Sequence, residues 1–381
     1  MTEKLYDTDP YIKDFTATVI SCTPCDNGYA VILDKTAFFP EEGGQKCDTG
    51  TLGASRVLAV TIDGETITHY TDASVTGTVS CVLDFDARLD KMRQHTGEHI
   101  LSGTIHRLFG YDNVGFHLGD DDVTCDFDGP LDAEKLRLAE TEANLAVLKN
   151  RKVFGYYPDK ETLTTLDFRS KSGIDGAVRI VEIEGIDLCA CCAPHVAYTG
   201  EVGLIKITDA SSYKGGMRLH IACGERALAD YQKKSDNLSV IAKTLSSSQN
   251  NAARYFCRYV DETNALKQAL SASKRELIAL KAKLVDNSAR HVIIEDGLDM
   301  NTLRQYVNAL SGKYTDICVV LSPCDSGFAF TAASDKTNMR DVAKTLTERF
   351  GARCGGSDKM IQGTVNTDSD TVRRFFEGII I

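Results

Sequence analysis

Two short windows of the sequence hold the residue types that can do chemistry. Residues 93–101 read Arg-Gln-His-Thr-Gly-Glu-His-Ile-Leu, and residues 191–195 read Cys-Cys-Ala-Pro-His. His95 and His99 stand four apart, so on a helix they share one face and can hold one metal ion between them. Cys191 and His195 repeat that offset. Together the windows offer three imidazoles and one thiolate, a donor set that suits tetrahedral zinc better than magnesium or calcium. Each window alone has a plainer reading, as two solvated histidines on a helix or as a cysteine filling a core. Glu98 is the only acid of the first window and is the candidate general base. The same window fits the His-x-x-Glu-His pattern of inverted zinc peptidases. That reading requires a downstream acidic ligand and leaves the Cys191–His195 pair without a role.

The histidine pair needs a helix beneath it. Leu89, Met92, Ile100, Leu101, Ile105 and Leu108 carry helical spacing and predict one over 87–109. Ahead of it, residues 14–83 read as short strands. Runs at 16–21, 28–33, 56–62 and 66–70 are separated by the turn signals Asp26-Asn27-Gly28 and Asp63-Gly64, as in a small barrel or sandwich. Between them lies a glycine-rich loop, 38–50. Gly43 and Gly44 let the backbone approach a ligand closely, and Gln45 can present an amide to it.

Further along, 114–119 and 123–127 read as a hairpin, and 132–149 as a helix with Leu136, Ala139, Ala143 and Leu148 inward. Strands at 177–183 and 203–207 flank the Cys-His segment. Phe256, Tyr259, Thr263, Leu266, Leu270, Ser273, Leu277, Leu280 and Leu284 then form a heptad seam. Such a seam pairs with a helix of its own chain or with a second subunit, and an intramolecular hairpin is the favoured reading. The last ninety residues alternate strands and helices. Within them Arg353, two glycines and Lys359 suit contact with a phosphate or RNA backbone. The expected class is α+β. Four regions are expected: barrel-like 1–86, metal-binding α+β 87–223, a helical hairpin or coiled coil 224–288, and a compact α/β unit 289–381.

The 381 residues allow two or three domains with sizeable cores. The formal charge of −11 weighs against long-range attraction to nucleic acid. Local patches decide binding, however, and basic residues cluster at Arg88, Lys91 and Arg93, at Lys149, Arg151 and Lys152, and at Lys206, Lys214 and Arg218; such runs are commonly solvated faces, so they leave RNA contact open. Thirteen cysteines without a signal-peptide pattern fit reduced thiols in a cytoplasm.

The order of motifs resembles a known family. It runs Gly43-Gly44-Gln45, Asp48-Thr49-Gly50, the histidine window, the Cys191–His195 window and Thr199-Gly-Glu-Val-Gly-Leu. This is similar to the editing domain of alanyl-tRNA synthetases, a domain type shared with threonyl-tRNA synthetases. The tail resembles the DHH-associated domain that follows it in alanyl-tRNA synthetases. An aminoacylation domain would have to precede residue 1, so the chain looks like a free-standing editing protein of the AlaX type in its long form. The resemblance implies hydrolysis of mischarged tRNA(Ala), chiefly the seryl ester and also the glycyl ester, with zinc on His95, His99, Cys191 and His195. It further implies that Gln45 and Gln94 hold the ester or terminal adenosine. Gly43, Gly44, Thr96, Phe116 and Cys192 would line the substrate site, and Arg218, Arg353 and Lys359 would meet tRNA. A homodimer through the helical or C-terminal region is a further expectation, and a zinc-stabilised tRNA-binding module without catalysis is the competing reading. One departure stands out: the family often shows Cys-Gly-Gly-Thr-His where this chain has Cys-Cys-Ala-Pro-His.

Overall fold

The computed structural model describes residues 2–170 and 177–378. It is a mixed α+β structure in two compact units, Met1–Ser239 and Val240–Ile381.

In the first unit six strands close a barrel. They are β1 (Asp14–Cys25), β2 (Gly28–Leu33), β3 (Gly50–Leu52), β4 (Ser55–Asp63), β5 (Thr66–Thr71) and β6 (Thr78–Leu83), in the order β1-β2-β5-β4-β3-β6. Alternation of buried and exposed side chains drives it, with Val57, Val60 and Ile67 inside and Arg56, Leu58 and Thr61 outside, the phase changing at an irregularity between Val57 and Ala59. Among the buried polar residues of these strands is a histidine. His69 is buried between the Thr36 hydroxyl, 2.8 Å from Nε2, and the Val31 carbonyl, 3.2 Å from Nδ1.

The chain then enters α1 (Phe85–Phe109). The Asp84 side chain accepts from Ala87 N at its start, and Gly110 takes a left-handed φ of 71° at its end. Residues on every side of this helix are buried, because it lies against the loop, the strands and a second helix rather than against one core. Its first turns grip the glycine-rich loop. Arg88, fully buried, pairs with Asp48 and donates to the Pro10 and Ala37 carbonyls, while Lys91 reaches the Cys47 carbonyl.

Behind α1 stand β7 (Asn113–Leu118), β8 (Val123–Phe127), α2 (Ala133–Leu148), β9 (Val153–Tyr156), β10 (Ile180–Ile183), β11 (Asp187–Ala190), β12 (Ile205–Tyr213) and β13 (Gly216–Cys223). The sheet β12-β13-β8-β7 and the sheet β9-β10-β11 flank the helix pair. Leu148, expected inward, is 79% exposed; Ala139, Ala143, Ala146 and Val147 form the buried stripe instead. Strands β11 and β13 carry no alternation long enough to announce them. They form because their neighbours offer unpaired edges.

The helices α3 (Gly224–Thr244) and α4 (Ala252–Leu284) follow. In the second unit α4 leads to a five-stranded sheet of β14 (Ser288–Ile294), β15 (Tyr314–Cys324), β16 (Gly327–Ser334), β17 (Arg353–Gly356) and β18 (Met360–Val365), ordered β14-β15-β16-β18-β17. Helices α5 (Met300–Ala309), α6 (Met339–Phe350) and α7 (Ser369–Glu377) complete it. The segment 353–356, which carries Arg353 and the two glycines, is an edge strand. Leu266, Leu270, Leu277, Leu280 and Leu284 of α4 are exposed, and the helix buries Ile278 and Ala282 on a neighbouring face.

Candidate metal centre

One face of α1 brings His95 and His99 together, as their spacing requires, with ring centroids 5.3 Å apart. The segment after β11 supplies Cys191 and His195. The Cys191 Sγ lies 3.6 Å from His95 Nε2 and 3.4 Å from His195 Nε2, and one potential ligand atom from each of the four residues lies within 4.8 Å of the others. Tetrahedral zinc with bonds of ~2.0–2.3 Å sets its ligand atoms about 3.3–3.6 Å apart, which the two Cys191 distances match.

The second nitrogens of the rings make the fit stronger. His95 Nδ1 meets Gln45 Oε1 at 2.8 Å, His99 Nδ1 meets Asp187 Oδ2 at 2.8 Å, and His195 Nδ1 meets Thr96 Oγ1 at 3.0 Å. Each imidazole is thus oriented by a partner outside the cluster while its Nε2 remains for a ligand, which is how ligating histidines are held. Asp187 is gripped in turn by Arg169, Nε to Oδ1 at 2.7 Å and Nη2 to Oδ2 at 2.9 Å. Arg179 donates to the Cys191 and Ala193 carbonyls at 3.1 and 3.0 Å and fixes the loop itself. Cys191 packs against both the barrel core and the core behind α1.

The electrostatics favour a thiolate at Cys191, while His99, against burial, is held well above its usual range by its hydrogen bonds with Asp187 and Cys191. Burial works to raise the Cys191 thiol, but His95 and His195 beside it bring it well below its usual range. Burial lowers His195 to about 3 against the pull of Cys191. For Asp187, burial is outweighed by His99 and Arg169, so the carboxylate stays charged.

The glycine-rich loop closes one side. Gly43 and Gly44 have φ of 63° and 80°; a Cβ at Gly44 would stand 2.6 Å from the Phe116 carbonyl oxygen, and one at Gly43 would stand 3.3 Å from Cys192 Sγ. The Phe116 ring lies 4.6 Å from the His95 ring. Gln45 is buried, and its Nε2 has no partner in the chain among the described residues. With Nδ1 of His95 as donor, Oε1 of Gln45 accepts and the amide NH2 is left as a donor. Gly43, Gly44, Gln45, Phe116 and Cys192 therefore gather around His95.

Of the other expected residues, Thr96, Gln94, Glu98 and Arg218 each have partners of their own. Thr96 stands behind His195, where its hydroxyl also accepts from Val196 N. Gln94 is tied to the backbone of Cys223, donating to its carbonyl at 2.9 Å and accepting from its N–H at 2.8 Å. Glu98 is fully buried; its Oε1 accepts from Ser102 at 2.6 Å and from Asn113, and its Oε2 is 3.9 Å from His99 Nε2. Arg218 forms a double hydrogen bond with Asp126 and lies 3.8 Å from the centre of the Tyr213 ring. Arg353 and Lys359 are exposed in the second unit. Sequence reasoning missed Asp187, Arg169, Arg179 and Asn113. Asp187 stands four residues before Cys191, but an acid at that offset in an alternating strand carries no signal by itself.

Residues 178–220 match the family model described as the second additional domain of threonyl and alanyl tRNA synthetases. Over nearly its whole length the chain is 24% identical to the alanyl-tRNA editing protein AlaX-L of Pyrococcus horikoshii, covering 98% of this chain and 96% of that one. It is 26% identical to the alanyl-tRNA editing protein Aarsd1 of Danio rerio, covering 94% and 93% respectively. The chain is thus similar, over nearly its whole length, to proteins named as alanyl-tRNA editing proteins. It is also 31% identical to the alanine–tRNA ligase of Pyrococcus abyssi, but matches only 43% of that protein while all of this chain is covered. The ligase relatives thus carry more than half of their length outside the shared part. Among the described residues, no helix is long and apolar enough to cross a membrane.

Proposed function

We propose that the chain is a zinc-dependent aminoacyl-tRNA hydrolase that deacylates tRNA(Ala) bearing the wrong amino acid, with the seryl ester as first substrate and the glycyl ester as second. The observation that carries this reading is the convergence of three oriented Nε2 atoms and the Cys191 thiolate beside a loop whose Gln45 offers a buried donor. The editing proteins it resembles supply the substrate class. Serine exceeds alanine by one hydroxyl, which a small apolar pocket rejects only about a hundredfold, so a second, hydrolytic site is needed.

His95, His99, Cys191 and His195 would hold zinc, which supplies positive charge beside the oxygen that gains charge during ester cleavage. The chain's own groups do the rest. Gln45 Nε2 donates to the ester carbonyl oxygen. Gly43, Gly44, Phe116 and Cys192 enclose the aminoacyl group, where an added Cβ on the loop would close the space. Glu98, held by Ser102 and Asn113, accepts a proton from the attacking water. The water oxygen bonds to the carbonyl carbon, the ester C–O bond breaks, and the terminal ribose hydroxyl leaves with a proton. An inverted-motif peptidase is disfavoured, because Cys191 and His195 stand where that motif requires one acid.

Release of labelled serine from Ser-tRNA(Ala), with Ala-tRNA(Ala) as control, tests the proposal on the native chain, Cys191→Ala and Glu98→Gln. The native protein releases serine selectively, Cys191→Ala loses both zinc and turnover, and Glu98→Gln slows release about 10²–10⁴-fold with zinc retained. Absence of release above the spontaneous rate, with zinc and tRNA both bound, would leave a tRNA-binding module instead.

A further inference from the structure

A recess of about 240 Å³ lies where the last turns of α1 and α2 meet the turn between β10 and β11. Thr104, Arg107, Glu142, Lys149, Arg151 and Ile186 line it. Three of these are cations and one is an acid, a local surplus of positive charge on a chain whose formal charge is −11. The volume is below the ~300–1,000 Å³ of a drug-sized ligand site and suits one small group.

The cations are held in place. Arg151 is fixed at both ends: its backbone exchanges hydrogen bonds with Thr199, and its Nη1 donates to the Glu184 carbonyl at 3.0 Å. Asn150 takes a left-handed φ of 48°, and its Oδ1 accepts from Gly200 N, which pins the turn that carries Lys149 and Arg151. Arg107 stands 3.6 Å from Glu142, too far for a hydrogen bond, so that pair does not use up its donors. Among the described residues neither Lys149 nor Arg151 is in an ion pair with an acid. Arg107 and Lys149 stand at helix C-termini, where a cation offsets the helix dipole. Dipole compensation accounts for those two. It does not account for Arg151, which leads into a strand, or for the buried Thr104 that shares the recess.

We infer that the recess is a phosphate-binding site. Two guanidinium groups, an ammonium and a hydroxyl offer more donors than the two oxygens of a carboxylate take up, and they match a tetrahedral group with three or four. Two sources present that chemistry: a backbone phosphate of tRNA, which rests on the deacylase reading above, and free phosphate. The place favours the first. His95, His99, Gly103 and Arg107 follow at four-residue steps along one face of α1, so Arg107 stands about 12 Å along the helix from His99. A strand whose acylated end is at the metal centre covers that distance within its last few nucleotides, at about 3.4 Å of rise each.

Two titrations on the full chain test the site. In the first, inorganic phosphate is titrated calorimetrically at constant ionic strength. The native chain binds it, Arg107→Gln with Lys149→Gln binds it about tenfold more weakly, and Glu142→Gln, which removes the acid beside Arg107, binds it more tightly. A damaged fold would weaken both variants, so the opposite directions report the recess itself. In the second, uncharged tRNA(Ala) is titrated over a range of salt concentrations. Loss of one phosphate contact makes the slope of log K against log salt shallower by about one in the double variant. A slope changed in that way assigns the recess to a tRNA phosphate. An unchanged slope with weakened phosphate binding assigns it to free phosphate and leaves the deacylase reading untouched. A native chain that binds no tRNA sinks that reading, and the phosphate titration alone then decides the recess. If neither titration separates the double variant from the native chain, or if Glu142→Gln weakens phosphate binding, the inference is overturned and the cations return to the helix ends.

Discussion

At the scale of single residues, the centre is organised from outside its four candidate ligands. Asp187 is the clearest case, since it fixes the His99 ring and is itself fixed by Arg169. Asp187→Asn keeps the shape but exchanges a charge-assisted bond for a neutral one, and it can present an NH2 to a nitrogen that must donate. Zinc affinity is expected to fall about 10–100-fold, read by competition with a chromogenic chelator, while the helix content is unchanged. An unchanged affinity would show that the carboxylate serves the fold alone.

At the scale of elements, the glycine-rich loop depends on α1 through a buried ion pair. Arg88 and Asp48 are both out of solvent, so removing one leaves the other charged and unpaired. Arg88→Met is expected to cost about 3–5 kcal/mol in denaturant unfolding, and Arg88→Met with Asp48→Leu to cost less than the single change. The barrel carries a pH dependence of its own. Burial lowers His69 from 6.5 to about 4, so the folded state resists a proton that the unfolded state accepts. Above pH 6.5 the residue contributes no pH dependence; as pH falls from 6.5 to about 4, stability is lost, about 3 kcal/mol in all. His69→Gln, compared with the native protein across that window, is expected to show a shallower loss.

At the scale of the whole molecule, every candidate ligand and the Gly43–Gln45 loop lie in the unit Met1–Ser239. That unit has two hydrophobic cores of its own. A fragment of residues 2–239 is expected to fold, to bind zinc and to release serine from the seryl ester, because domains with their own cores fold independently. A fragment that folds and binds zinc but no longer turns over would assign the second unit a part in holding tRNA.

How much of this was legible follows from the range of the physics involved. The helix beneath His95 and His99 could be read because residues four apart must share a helical face, and the heptad of α4 for the same reason. The mixed α+β class followed from alternation that local backbone geometry imposes. Leu148 was misread because a hydrophobic residue at a helix end satisfies the period without having a core to meet. β13 and the edge strand Arg353–Gly356 were missed because hydrogen bonds to neighbouring strands, not their own side chains, make them strands. The sequence by itself determined which side chains could serve as ligands and which helix would carry His95 and His99. Only the tertiary structure decided which groups orient those ligands: Gln45, Asp187 and Thr96 reach the three rings from 50, 88 and 99 positions away. A hydrogen bond depends on distance and direction in space, and neither is encoded in separation along the chain.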